Sequence, residues 1–194
     1  MRLPWQILVE YRSSDESFHR WYGYHLLSSE SSTLANCGFV AAQKFIDRYY
    51  RALNNSTERA TLASFYIQPT PLSPLPADIS LNGNIVQSPL DLQNIFLDTI
   101  PAAHYEVQSF DCHVLNTNYN IGANDTDFAP DATGRKMCIA LIVSGYIKYG
   151  EAQDTKMRGF TENFILVPNF QAGIGSPHDM KKWLIQSQNF RIVL

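Results

Sequence analysis

The sequence predicts an α+β domain in which two or three helices lie on one face of an antiparallel sheet. Three observations predict it. Apolar residues recur at helical spacing from Phe39 to Leu53, a strong helix start stands at Ser88-Pro89, and from His104 onward the chain reads as strands in succession. Helices first and a strand meander afterwards give no repeated strand–helix unit, so the sheet has cover for only one of its faces.

The elements follow in order. Residues 1–38 read as an N-terminal appendage. Trp5, Tyr11, Phe18, Trp21, Tyr22 and Tyr24 fall with neither a sustained helical period nor clean alternation, and serine runs interrupt them. Within the appendage, Trp5 to Val9 is the stretch able to dock as an edge strand or short helix. The domain proper is 39–194. Phe39, Ala42, Phe45, Ile46, Tyr49, Tyr50 and Leu53 form the apolar stripe of a long first helix, while Lys44, Asp47, Arg48 and Arg51 fill the rest of its turn. Asn36 serves as its N-cap and the cluster Asn54-Asn55-Ser56 stops it. A short second helix starts at Ser56 or Thr57 and runs into Phe65 and Tyr66.

Four prolines, Pro69, Pro71, Pro74 and Pro76, then make 69–78 an irregular extended loop, because each lacks an amide donor and restricts the residue before it. Asn82-Gly83-Asn84 predicts a tight hairpin turn into Ile85 and Val86. At the third helix Ser88 supplies the cap, Pro89 the first position and Asp91 an acid in the first turn; Leu92, Ile95, Phe96 and Thr99 continue a stripe to Ile100, and Pro101 ends it. Strands are expected at 104–115, 137–149, 158–167 and 190–193. A polar insert at 116–134 separates the first two, and a turn of helix around Trp183 precedes the last.

Composition narrows the function classes. No stretch approaches the roughly 18 apolar residues that a bilayer span requires, so membrane insertion is not expected. The opening segment is too short in apolar residues for a secretory signal, so export from the cell is not expected either. Cys37, Cys112 and Cys138 are too widely spaced for a disulfide framework or a metal knuckle. Sequons at Asn54, Asn55 and Asn124 are then chance occurrences. A formal charge of −3 and a pI near 5.9 mean that the whole chain does not attract a phosphate backbone.

The informative anomaly is in the central strand. Met137, Ile139, Leu141, Val143 and Ile147 point one way, and Cys138, Ala140, Ile142 and Tyr146 the other, so both faces are apolar. The strand at 158–167 shows the same tendency, with Phe160, Phe164 and Leu166 opposite Ile165 and Val167. The second face calls for cover by the N-terminal segment, a second copy or another protein; a ligand cavity in a curved sheet is the remaining alternative.

Chemistry has weaker candidates. Asp111 and His113, two apart on one strand face, would let a carboxylate orient an imidazole, with Tyr49, Tyr50 and Tyr66 as hydroxyls; a surface ion pair explains the same two residues. Neither a metal-ligand spacing nor a phosphate-cradling glycine loop is present, so no metal or cofactor is expected. Arg48, Arg51 and Arg59 around the first two helices, and Lys181 with Lys182, are the candidates for phosphate contacts, set against ordinary solubilising charge.

Three segments taken together carry a family resemblance: FVAAQKFIDRYYRAL at 39–53, GFTENFILVPN at 159–169 and KKWLIQSQNFRIVL at 181–194. In this order they resemble the nuclear transport factor 2-like superfamily, and within it the small subunit of the mRNA export heterodimer. The resemblance covers 39–194, and the proline-rich loop and long insert are similar to the fungal form. It implies a cone of three helices packed against a strongly bent antiparallel sheet, without catalysis. It implies pairing through the sheet with a larger Mex67-like export receptor, contact with the FG repeats of nucleoporins, and shuttling between nucleus and cytoplasm with mRNA and, in fungi, large ribosomal subunits. RNA contact belongs to the heterodimer more than to the single chain. On that reading Tyr146, Phe164, Ile165 and Phe190 are the partner-face candidates, and Phe96 and Ile100 line a pocket for a pore-repeat phenylalanine. A homodimeric transport factor and a ligand-cavity isomerase or dehydratase are the alternatives on the same fold.

Overall fold

The computed structural model describes residues 8–10, 29–71, 73–100, 103–116, 118–119, 136–150, 156–172 and 181–193. Most of the 116–134 insert and the glycine-containing loop at 173–180 lie outside them. Strand β1 (Leu8–Glu10) precedes helix α1 (Ser29–Asn54), a 3-10 helix (Glu58–Phe65), the hairpin β2 (Asp78–Leu81) and β3 (Asn84–Val86), and helix α2 (Pro89–Asn94), which continues as a π turn at Ile95–Thr99. The long strands β4 (Ala103–Asn116), β5 (Cys138–Tyr149), β6 (Lys156–Pro168) and β7 (Trp183–Val193) follow.

Local chemistry accounts for the boundaries. The Ser88 hydroxyl accepts from the Asp91 amide (3.1 Å) and donates to the Asp91 carboxylate (2.7 Å), capping α2 with Pro89 behind it. Asn82 (φ +51°) and Gly83 (φ +85°) supply the two positive φ values of a tight hairpin turn. Asn54 ends α1 by acting as a mock strand: its side chain donates to the Tyr105 carbonyl (2.8 Å) and accepts from the Tyr105 amide (2.7 Å). Asn36 is not a cap. It lies inside α1, which begins at Ser29. Nor is there a helical turn at Trp183, which opens β7; Ile185, Gln188 and Phe190 on its buried side, relieved by one bulge, carry that segment as strand.

The sheet order is β1-β4-β5-β6-β7-β2-β3. Here the fold departs from the cone of helices on a strongly bent antiparallel sheet. The sheet is mixed, since β2 runs parallel to β7 with Ile79 opposite Gln188. It is also open and not strongly curled, with β1 and β3 as opposite edges. The parallel pairing has a local origin. The chain leaving the 3-10 helix already runs alongside β7, where Tyr66 bridges Ile185 in parallel and the Ile67 amide donates to the Ile185 carbonyl (3.0 Å). The proline-rich loop is an excursion, after which β2 resumes the same direction.

Alternation divides each strand between a helix-facing inner side and an outer side. Inward go Tyr105, Val107, Phe110 and Cys112 of β4, Ile139, Leu141, Val143 and Ile147 of β5, Phe160, Phe164 and Leu166 of β6, and Ile185 and Phe190 of β7, all buried. Over them α1 lays Phe45 and Tyr49 edge-on to Phe164, at ring-centroid distances of 5.3 Å each. Phe160 links Tyr105, Tyr50 and Phe190 into a second aromatic group. The core is closed tightly at Gly145, opposite Val107 beside a β-bulge. A Cβ at Gly145 would lie 2.1 Å from the Glu106 carbonyl oxygen and 2.8 Å from the Phe160 ring. Because strand backbone and a packed ring both resist displacement, Gly145→Ala is expected to destabilise the fold by about 3 kcal/mol; chemical denaturation giving a loss under about 1 kcal/mol would show that β4 yields there.

Candidate functional site

Two places in this architecture are able to carry function: the interior between helices and sheet, and the outer side of β4–β7, which is buried at its Cys138 and Val167 end and exposed at Ile142 and Tyr146. The interior is occupied. Glu162 of β6 and Gln188 of β7 are its two buried polar side chains among the described residues. Tyr50 donates to Glu162 Oε2, Gln188 Nε2 donates to Glu162 Oε1 and to Tyr49 Oη (2.9 Å), and Tyr66 donates to Gln188 Oε1. Each of these buried groups has a partner, so the network fills the space in which a cavity enzyme would hold substrate. Burial pushes the Glu162 carboxyl up to about 7, partly offset by the bonds from Tyr50 and Gln188. Burial also raises the Tyr49, Tyr50 and Tyr66 hydroxyls well above the usual phenol range.

On the outer side the register sets four rows across β4, β5, β6 and β7. They are Glu106–Tyr146–Gly159–Val193, Ser109–Ser144–Thr161–Arg191, Asp111–Ile142–Asn163–Asn189 and His113–Ala140–Ile165–Ser187. Ile142 and Tyr146 are 48% and 43% exposed, and Val193 is exposed at the sheet's end. Gly159 leaves the Tyr146 ring without a side chain beside it on β6. Glu106 is ion-paired with Lys148 (2.7 Å), whose ammonium holds its carboxyl below the usual range. The face is therefore a mosaic, with apolar side chains in three rows separated by serine, threonine and asparagine.

The partner-face candidates divide along this parity. Tyr146 and Ile165 lie on the outer side, whereas Phe164 and Phe190 are buried in the chain's own core. Ile142 and Val193, not singled out from the sequence, share the outer side. The basic candidates also divide. Arg59 donates to the carbonyls of Leu53 (2.6 Å) and Ala103 (3.1 Å), tying the end of α1 to β4. Arg51 pairs with Glu58 (3.5 Å) on the surface, and Arg48 is half-buried on the same helix. Lys181 donates to Ser64 (2.6 Å) over the Phe65 ring, and Lys182 is exposed. Phe96 is buried against Tyr105, and Ile100 is half-buried beside it. His113 Nε2 stands 3.7 Å from Asp111 Oδ2 on the outer side, away from the interior tyrosines. The groove between α1 and the start of β4, about 200 Å³ and lined by Asp47, Arg51, Asn54, His104 and Glu106, is small and open. Glu162 and Gln188 escaped the sequence reading, although Glu162 stands two residues from Phe160 and Phe164, at the inward parity of its strand.

Helices on one side of an open sheet, an interior filled by paired polar groups and a mosaic outer side define a non-catalytic binding domain of the NTF2-like type. No family model matches the chain. The Homo sapiens protein NTF2-related export protein 2 is 26% identical over 151 residues, spanning 78% of this chain and 84% of that protein. Among solved structures, the Chaetomium thermophilum Mex67 NTF2-like domain complexed with Mtr2 superposes with a TM-score of 0.70 at 29% identity, covering 81% of this chain and 99% of that one. A Sac3N peptide bound to Mex67:Mtr2 gives 0.68 at 30% identity, and a structure of Mtr2 gives 0.67 at 28%, both with the same coverage. The chain has strong structural homology to Mtr2, an NTF2-like protein.

The interior network makes stability depend on pH. The folded chain holds a proton on Glu162 up to about 7, whereas an unfolded chain releases it near 4.5. Stability from this group is thus full below about pH 4.5 and is lost as pH rises through about 7, a difference on the order of 3 kcal/mol. Glu162→Gln keeps the size and both contacts, with its oxygen accepting from Gln188 and its amide nitrogen donating to the Tyr50 hydroxyl oxygen, but removes the titration. Thermal denaturation from about pH 5 to 8 should show the wild type losing ground steadily to the variant, and parallel curves would mean that Glu162 does not titrate there.

Proposed function

We propose that this chain is the non-catalytic small subunit of a heterodimeric mRNA export receptor, pairing through the outer side of β4–β7 with the NTF2-like domain of a larger Mex67-type chain. The observation that carries the reading is the outer side itself: Ile142, Tyr146, Ile165 and Val193 stand together on a sheet, with no helix over them among the described residues. Its relatives are consistent with this use, since the similar structures are of Mex67 complexed with Mtr2. The pair then moves between nucleus and cytoplasm through pores lined with FG repeats, with Ile100 offering the open side of the Phe96 region. RNA contact falls on Arg48, Arg51 and Lys182 and belongs to the assembled pair, because a chain of net charge −3 attracts phosphate weakly by itself.

The test is co-expression with a Mex67-type NTF2-like domain, followed by size and affinity measurement. Tyr146→Glu with Ile165→Glu should lower affinity by at least about a hundredfold, roughly 3 kcal/mol, while leaving the chain folded. Phe164→Ala should instead lower the chain's own stability by about 3 to 5 kcal/mol. A pair that survives both outer-side charges at unchanged affinity would rule out this face.

A further inference from the structure

Four serine or threonine residues are followed directly by proline: Thr70, Ser73, Ser88 and Ser176. Ser176 lies outside the described residues, and the other three stand in very different surroundings. The Ser88 hydroxyl is consumed by the cap of α2, accepting from the Asp91 amide (3.1 Å) and donating to the Asp91 carboxylate (2.7 Å). Pro89 behind it is already helical, and Leu92 one turn on is fully buried. Thr70 and Ser73 belong instead to the proline-rich loop. Each donates its amide to the other's carbonyl (2.8 and 3.1 Å), and the Ser73 amide also reaches Thr70 Oγ1 (3.0 Å), closing a turn around Pro71. The Ser73 hydroxyl itself makes no hydrogen bond among the described residues. Beyond it Pro74, Leu75 and Pro76 are exposed, Leu75 at 68%, in neither helix nor strand. The Ile67 amide is bonded to the Ile185 carbonyl and Ala77 is buried, so the loop is anchored at both ends without Ser73.

We propose that Ser73 is a phosphorylation site for a proline-directed serine/threonine kinase, and that the fold withholds Ser88 from the same enzyme. In the step itself Ser73 Oγ bonds to the γ-phosphorus of ATP, the bond from that phosphorus to the bridging oxygen breaks, and ADP leaves with the electron pair. The hydroxyl proton passes to the basic carboxylate of the kinase. Pro74 holds the Ser73 backbone extended, and the chain at 74–77 has no helix or turn to unwind. Bringing Ser73 into an active site opens only its surface bonds to Thr70. Thr70 is the poorer acceptor, because the proline that follows it lies inside the turn. At Ser88 the same approach would unwind α2 and draw Leu92 from the core, and the phosphate would face the Asp91 carboxylate, like charge against like. No charged side chain occurs at 68–77. A phosphate adds up to about two negative charges, so a neutral, proline-displaying loop becomes an anionic one while the sheet and its outer side stay as they are.

The experiment incubates the full chain carrying Ser176→Ala with ATP and a cyclin-dependent or mitogen-activated protein kinase, and times the modified residues by tandem mass spectrometry. Ser73 should be modified at least about tenfold faster than Thr70 or Ser88, since the latter waits on local unfolding. Pro74→Ala should slow Ser73 by about tenfold or more through loss of the extended restraint, and Ser73→Ala should remove the main product. A synthetic peptide spanning 84–94, which has no fold to protect it, should be modified readily at Ser88. The phosphorylated chain should melt within about 2 °C of the unmodified one, as a surface change away from packed features does. Ser73 left unmodified in the full chain, or modified no faster than Ser88, overturns the assignment. A peptide unmodified at Ser88 overturns the claim that the fold withholds that residue. A melting temperature that falls well beyond that margin on phosphorylation would make Ser73 part of the fold and also overturn the proposal.

Discussion

The paired burial of Glu162 and Gln188 is the constraint on which the remaining arrangement depends. An ionisable side chain in an apolar interior is tolerated only when both oxygens are satisfied, and the donors here come from three separate elements: Tyr50 from α1, Gln188 from β7, and Tyr66, through Gln188, from the chain beyond the 3-10 helix. That requirement fixes how α1 is rotated above the sheet. It also fixes strand parity, since a one-residue slip of β6 would carry Glu162 to the outer side and bring Thr161 or Asn163 inward. The outer mosaic is therefore a consequence of the inner network.

A second set of polar clamps fixes the ends that the network does not reach. Asn54 holds the Tyr105 backbone as a neighbouring strand would, and Arg59 ties the Leu53 carbonyl at the end of α1 to that of Ala103. Both residues occupy places where a helix leaves carbonyls unpaired. Arg59 thus illustrates how a surface-looking cation is consumed by the fold. A basic cluster in sequence becomes, in space, one structural arginine, one surface ion pair and one half-buried residue.

Much of the fold was legible because its signals are local. The Ser88-Pro89 cap, the Asn82-Gly83 turn and the apolar stripe from Phe39 to Leu53 each depend on residues within a few positions, and each stands where the sequence places it. The strand parity of Phe160, Phe164 and Ile165 was legible for the same reason. The parallel pairing of β2 with β7 was not, because Asp78–Leu81 has the same alternation whichever way its neighbour runs. Trp183 reads as helical or extended with equal ease until Ile185 and Tyr66 are seen to bridge. Whether Phe164 and Phe190 serve as partner anchors or as core was open in the sequence, because an aromatic on a strand shows its face only once one inward residue of that strand is known; both are buried in the chain's own core.

The composition of the outer side bears on what kind of association it supports. A permanently covered sheet face would be as apolar as the inner one, where Ile139, Leu141, Val143 and Ile147 are wholly buried. Instead three of the four outer rows set one or two apolar side chains among hydroxyl, amide or charged groups, and the row Ser109–Ser144–Thr161–Arg191 holds none. Such a surface draws its affinity from a few anchors and its selectivity from the groups around them. The part-exposed Glu106–Lys148 pair at the margin contributes little to either, being partly screened by solvent. Asp111 and Asn189 differ in kind, because their buried oxygens are already removed from solvent before any partner arrives.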